Sequence, residues 1–193
     1  EIERIEGIAR DSGVSLIIAA GGGRVIDTAK VVSCHVEIPF VSVPTSASHD
    51  GLTSPRASVS TENGKVSIAA APPLAIVADT GIIATAPHRL LASGYADTIA
   101  NYTAILDWEL SSRLTGESVS EYASTLSKIT AEILVKNADL VRRYDENAVW
   151  MVVKALFSSG IAMSIAGSSR PASGGEHKFA HMLERLAPGV ALH

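Results

Sequence analysis

The chain has a single cysteine, no excess of positive charge, and no uninterrupted apolar run long enough to cross a bilayer. Each lack excludes something. Cys34 alone makes no disulfide framework and suits a reducing compartment, so a cytoplasmic location is expected. Lys and Arg number 16 against 20 Asp and Glu, a formal net charge of −4 with no basic stripe, which argues against nucleic acid as a partner. A membrane span needs roughly 20 consecutive apolar residues, and none is read here. The opening Glu1-Ile2-Glu3-Arg4-Ile5-Glu6 is a charged helical segment rather than a signal peptide. Internal repeats and low-complexity segments are missing too. What remains is 47% hydrophobic and 19% charged over 193 residues, which fits one large globular domain or two small ones. The chain opens inside a helical pattern and ends at His193 without a stop signal, so an internal fragment of a longer protein is expected.

The first part alternates strand, loop and helix. Residues 1–13 read as a helix stopped at Gly13. Val14 to Ala20 is a continuous apolar run, expected of a strand buried on both faces of a parallel sheet. Gly21-Gly22-Gly23 follows, then helical periodicity over Arg24 to Val32. A second strand, Pro39 to Pro44, leads into the polar loop Thr45 to Gly51. Ala57 to Ala71 reads as a hairpin turning at Asn63-Gly64, and Leu74 to Ala78 as another strand. The pattern changes near Ile82. From Pro87 onward helices are expected at 88–113, 118–143, 146–166 and 173–186, broken by Gly116, Asp145 and Gly167 to Pro171, with Ser118 and Glu121 forming a capping box. The expected organisation is an α/β part, residues 1–82, followed by a helical part, residues 83–193.

Four segments carry chemistry. Three glycines at a strand's end let a ligand approach the backbone, and the free amides of the next helix favour an anion; a tight structural turn is the competing account. The loop Pro44-Thr45-Ser46-Ala47-Ser48-His49-Asp50-Gly51 also leaves a strand's carboxyl end, so both loops would face one crevice. There small hydroxyls suit a cofactor and Asp50 a substrate hydroxyl, against an ordinary Asx-turn. Asp97, in Ser93-Gly94-Tyr95-Ala96-Asp97-Thr98-Ile99-Ala100-Asn101, sits among small and apolar neighbours, where a bare carboxylate is costly unless paired or metal-bound. In Gly174-Gly175-Glu176-His177-Lys178-Phe179-Ala180-His181 the two histidines share one helical face, and His193 follows. An aspartate with two histidines makes a three-ligand divalent site with an open position, the design of a catalytic metal; surface or core histidines are the alternative. Asp107 is read as structural.

Taken in order, these segments resemble the sn-glycerol-1-phosphate dehydrogenases, in the superfamily of iron-containing alcohol dehydrogenases, glycerol dehydrogenase and 3-dehydroquinate synthase. The resemblance runs over essentially the whole chain. It implies an α/β fold: a Rossmann-like nucleotide-binding domain, incomplete at its N-terminal side, followed by an all-helical metal-binding domain, incomplete at its C-terminal side. Carried over by position, it implies NAD or NADP contacts at Gly23, Arg24, Val25, Ile26 and Asp27, and at Thr45, Ser46, Ala47, Ser48 and Ser54. Asp97, His177 and His193 would hold Zn²⁺, and Asp50 and Asp97 would lie at the substrate. Geometry alone would make His181 a ligand; the resemblance to dehydroquinate synthase assigns it instead to substrate binding or proton relay, catalytic alongside Asp97. The implied activity is zinc-dependent, NAD(P)H-linked reduction of dihydroxyacetone phosphate to sn-glycerol 1-phosphate for ether phospholipids, with zinc as Lewis acid. Glycerol dehydrogenase and the synthase are the alternatives, the latter disfavoured because it offers glutamate where Asp97 stands. A non-catalytic nucleotide-binding homologue is a further one. The implied partner is a small phosphorylated substrate, Arg170, Lys178 and Arg185 are the nearby cations, and a homo-oligomer is open.

Overall fold

The computed structural model describes residues 1–61 and 64–186. Helix α1 (Ile2–Asp11) stops before Gly13, whose φ of +60° only glycine adopts without strain. Strand β1 (Ile17–Gly21), helix α2 (Gly23–Val36) and strand β2 (Phe40–Pro44) form a parallel crossover unit, paired from Ile17 with Phe40 to Gly21 with Pro44. A single 3₁₀ turn (Asp50–Leu52) follows. The hairpin β3 (Arg56–Thr61) and β4 (Gly64–Ala69) pairs Thr61 with Gly64, so the connection is two residues long; Asn63 of the expected turn lies outside the described residues. Strand β5 (Ala75–Ile76) joins β2 in parallel, giving a three-stranded sheet in the order β1-β2-β5.

Helices then take over: α3 (Thr80–Ala84), α4 (His88–Thr115), α5 (Glu121–Lys136), α6 (Ala138–Arg143), α7 (Glu146–Ala166) and α8 (Gly175–Leu186). The expected breaks fall where the residues demand them. Gly116 and Gly167 end α4 and α7 in the left-handed region, and the Asp145 carboxylate accepts the Ala148 N–H at 2.9 Å to start α7. This is the α/β architecture expected, a parallel Rossmann-like unit followed by helices.

Three expectations need correction. Strand β1 is not buried on both faces: Ala19 is buried but Ile18 is 66% exposed, because nothing among the described residues covers that face. The cap of α5 is Ser120, whose hydroxyl accepts the Ala123 N–H at 3.3 Å; Ser118 lies outside the helix. The helix expected over 118–143 breaks at Asn137, whose side chain donates to the Ile133 carbonyl at 2.8 Å and diverts the backbone there.

The core gathers around α7. Val149, Val152 and Leu156 are fully buried with Ile26, Leu52 and Leu134 in one cluster that joins helices to sheet. By length and composition α7 could cross a bilayer, yet 56% of its most apolar window is buried inside the protein, as a core helix requires.

Candidate metal and dinucleotide site

The two strand-end loops lie side by side. Because β1 and β2 are parallel and in register, the Thr45 N–H reaches the Gly21 carbonyl at 3.0 Å, bringing the glycine run against the serine loop. Packing dictates two of the three glycines. A Cβ on Gly21 would sit 2.8 Å from the Val25 side chain, and one on Gly23 would overlap the His49 ring. Gly22 caps α2 without a side-chain bond, and the Val25 and Ile26 amides both return to its carbonyl at 3.0 and 3.2 Å. The amides of Gly23 and Arg24 therefore have no partner within the helix and form an anion-favouring start to α2.

Arg24, Val25 and Thr45 are exposed beside this helix start, while Ser46, Ala47 and Ser48 are buried in the adjoining loop. Ile26, Asp27 and Ser54 bury their side chains and serve the scaffold. Asp27 accepts from Lys30 Nζ at 3.2 Å and from the Ser58 N–H at 3.1 Å, and the Ser54 hydroxyl donates to the Arg56 carbonyl at 3.3 Å. Lys30 is fully buried; its ammonium also donates to the Gly51 and Arg56 carbonyls, tying α2, the 3₁₀ turn and β3 together. Burial lowers its pKa, against the attraction of Asp27.

The loop is pressed into the helical part through two helix glycines. A Cβ on Gly94 of α4 would collide with the Ala47 carbonyl, and one on Gly160 of α7 with Thr53. This seating delivers Asp50 to Asp97. The Asp50 N–H donates to Asp97 Oδ2 at 2.9 Å, and the Asp50 carboxylate accepts from the Ser159 hydroxyl at 2.8 Å, which in turn accepts from the Asn101 amide at 3.2 Å. Asp97 Oδ1 lies 3.5 Å from His177 Nε2 of α8. The other ring nitrogen, Nδ1, is 2.8 Å from Glu176 Oε1.

The electrostatics follow from this crowding. Burial and the neighbouring Asp97 charge push the Asp50 carboxyl up to about 7, against the Ser159 hydrogen bond. Burial also opposes ionisation of Asp97, but the His177 hydrogen bond, the His49 and His177 charges and the Asp50 N–H outweigh it and hold its carboxyl below the usual range. The Asp97 and Glu176 hydrogen bonds raise His177 to about 10. Glu176 is held low by His177 and the Gly174 N–H, against its burial.

Asp97 and His177 line a cavity of about 170 Å³ between α4 and α8, walled by Ser93, Ala96, Ala100, Glu176 and Ala180. Nε2 and Oδ1 facing each other at 3.5 Å fit a shared cation, since ligands at zinc bond lengths in a tetrahedron stand roughly 3.3 Å apart. No cluster of three or more ligating side chains occurs among the described residues, and His193 lies outside them. His181 is exposed one turn further along α8 and does not line this cavity. Asp107 accepts the Gly175 N–H and anchors the start of α8, the structural part expected of it. Arg170 is committed to Glu117 through two bonds of 2.6 and 2.8 Å, and Lys178 lines a separate cavity with it. Sequence reasoning missed Lys30, Ser159 and Asn101, whose partners are far away in the chain, and Glu176, whose adjacency to His177 was the one available signal.

A parallel glycine-loop unit thus adjoins helices that present a carboxylate and an imidazole to one cavity. Residues 1–87 match the family model described as iron-containing alcohol dehydrogenase. The whole chain is 70% identical, over 193 residues, to the glycerol-1-phosphate dehydrogenase [NAD(P)+] of Methanocorpusculum labreanum, covering 54% of that relative. It is 54% identical over 192 residues to the protein of that name from Halobacterium salinarum, again covering 54% of its length. The chain thus spans about half the length of the curated relatives it matches. Among solved structures it resembles a probable glycerol dehydrogenase from Sinorhizobium meliloti, with TM-score 0.72, 27% identity, 84% of this chain and 49% of that one. An iron-containing alcohol dehydrogenase from Thermotoga maritima shares the fold, with TM-score 0.75 at 14% identity, over 99% of this chain and 55% of that one. The resemblance carried by the four motifs therefore holds across the whole chain.

Proposed function

We propose that this chain is the nucleotide- and metal-binding portion of an enzyme that reduces dihydroxyacetone phosphate to sn-glycerol 1-phosphate with NADH or NADPH, in the cytoplasm, for ether phospholipid synthesis. Residues 1–82 serve the dinucleotide and residues 83–193 the metal and substrate. The observation that carries this reading is the approach of His177 Nε2 to Asp97 Oδ1, on a carboxylate that the dinucleotide loop itself touches through the Asp50 N–H. The names and 54–70% identity of the relatives support it.

Asp97, His177 and His193 would hold Zn²⁺, which supplies a Lewis acid for the substrate's C2 oxygen. The chain's own residues do the rest. The uncapped start of α2 receives the pyrophosphate, and the Thr45 to Ser48 loop lines the crevice floor. Asp50, braced by the Ser159 hydroxyl, accepts a substrate hydroxyl. His181, four residues beyond His177 on α8, is assigned to substrate binding or proton relay. Arg170 is already neutralised by Glu117, so the substrate phosphate must find other cations.

The test uses the full-length protein. Turnover is measured with dihydroxyacetone phosphate, with unphosphorylated dihydroxyacetone and with the synthase's heptulosonate substrate. The phosphorylated triose is expected to win, and preference for dihydroxyacetone would make the enzyme a glycerol dehydrogenase. Asp97→Asn and His177→Ala are each expected to lose bound zinc and at least a hundredfold in turnover; full zinc occupancy in both would overturn the assignment.

A further inference from the structure

We infer that Glu176 is a positioning residue that fixes the tautomer and aim of His177 as a metal ligand; the inference rests on the proposal that Asp97 and His177 share a divalent cation. An imidazole that binds metal through one nitrogen carries its proton on the other, and the partner of that N–H decides which way the ring faces. In His177 the two nitrogens have distinct neighbours. Nδ1 lies 2.8 Å from Glu176 Oε1, and Nε2 lies 3.5 Å from Asp97 Oδ1. A carboxylate can only accept, so in the metal-free protein each ring nitrogen turns a proton toward its own carboxylate; a cation seated by Asp97 would displace the Nε2 proton and leave the Nδ1–H held on Glu176.

Glu176 is itself held in place. Its Oε1 also accepts the Gly174 N–H at 2.8 Å, so one oxygen braces both the ring and the loop entering α8. A side chain at Gly174 would crowd this carboxylate, because a Cβ there would stand 2.8 Å from Oε2. That second oxygen is buried with no hydrogen-bond partner among the described residues. A buried carboxylate oxygen left unpaired is costly, and the molecule tolerates it beside a proposed cation, where negative charge raises the basicity of the ligating ring. On the other side Asp107 grips the Gly175 N–H, so the first turn of α8 cannot swing Glu176 and His177 away from α4.

The experiment is a zinc titration of the metal-stripped full-length protein against a chromophoric chelator, with thermal melts of the zinc-free forms. Glu176→Ala is expected to weaken zinc binding roughly 10- to 100-fold while the zinc-free Tm falls only by about 2–4 °C, the loss of the Gly174 bond. Glu176→Gln, which keeps an acceptor oxygen without the charge, should recover most of this and stay about 3- to 10-fold weaker than the native protein. His177→Ala is run beside them. Native zinc affinity in Glu176→Ala, with His177→Ala having lost it, overturns the role of Glu176 and leaves the metal site standing. Native affinity in His177→Ala overturns the site and the inference with it. If Glu176→Ala does not fold, Glu176→Gln decides, and native affinity there overturns the role.

Discussion

At Gly94 a helix backbone lies directly on the loop that carries the proposed dinucleotide and substrate residues. A methyl group there would run into the Ala47 carbonyl and stand 3.0 Å from the Leu156 side chain. The sequence places this glycine mid-helix, where it costs up to about 1 kcal/mol against alanine, and the contact with Ala47 is what offsets that cost. Gly94→Ala should therefore destabilise rather than stabilise. Overpacking of this kind costs about 1–3 kcal/mol, worth roughly 2–4 °C of Tm for each kcal/mol in a chain of this size. Because the loop also supplies the Asp50 N–H to Asp97, NAD(P)H affinity should fall together with the melting temperature. Thermal melts and a fluorescence titration with NADPH check both, and a variant more stable than the native protein would refute the close seating.

Among the elements, α8 is the one whose placement decides the site, and it is held from its N-terminal side. Asp107 of α4 takes its first amide, and Arg170 just upstream is clamped by Glu117 in the turn after α4. The Ser111 hydroxyl and then the Arg170 guanidinium hold the Glu117 carboxyl below its ordinary range. A carboxyl lowered by folding contributes stability above its unfolded pKa, near 4.5, and loses it as the pH falls through the folded value. Denaturation midpoints of the native protein should therefore drop from about pH 5 downward, and Glu117→Gln should lower the midpoint modestly at pH 7 and change little well below the folded value, which flattens part of that slope. An unchanged slope would mean the clamp does not persist in solution. Legibility at this scale tracks local chemistry. Gly116, Asp145 and Gly167 announced their breaks because each acts within a few residues, and α7 was read over its observed span. The break at Asn137 carries no glycine or proline and was invisible. So was α3, five residues started by the Asp79 side chain beside the expected boundary at 82.

Across the whole molecule, legibility ends where partners are distant in sequence. Asp97 and His177 could be paired beforehand because buried carboxylates and helical histidines advertise ligand chemistry. Nothing local distinguished Lys30, which sits in a helix where a lysine reads as surface. Its acceptors, besides Asp27, are the carbonyls of Gly51 and Arg56, 21 and 26 residues away. The two carbonyl bonds join α2 to the 3₁₀ turn and the hairpin, while the Asp27 bond lies within α2, so Lys30 holds the floor beneath the candidate site. Lys30→Met keeps the length of the side chain and removes every donor. The Asp27 carboxylate is then left buried with the Ser58 N–H, and breaking a buried ion pair on one side costs about 3–5 kcal/mol. Adding Asp27→Asn removes the stranded charge while an amide oxygen still accepts from Ser58, so the double variant should regain part of the loss. Urea denaturation of the native protein, the single variant and the double variant measures this. A double variant no more stable than Lys30→Met would place the cost in the orphaned carbonyls rather than in the carboxylate.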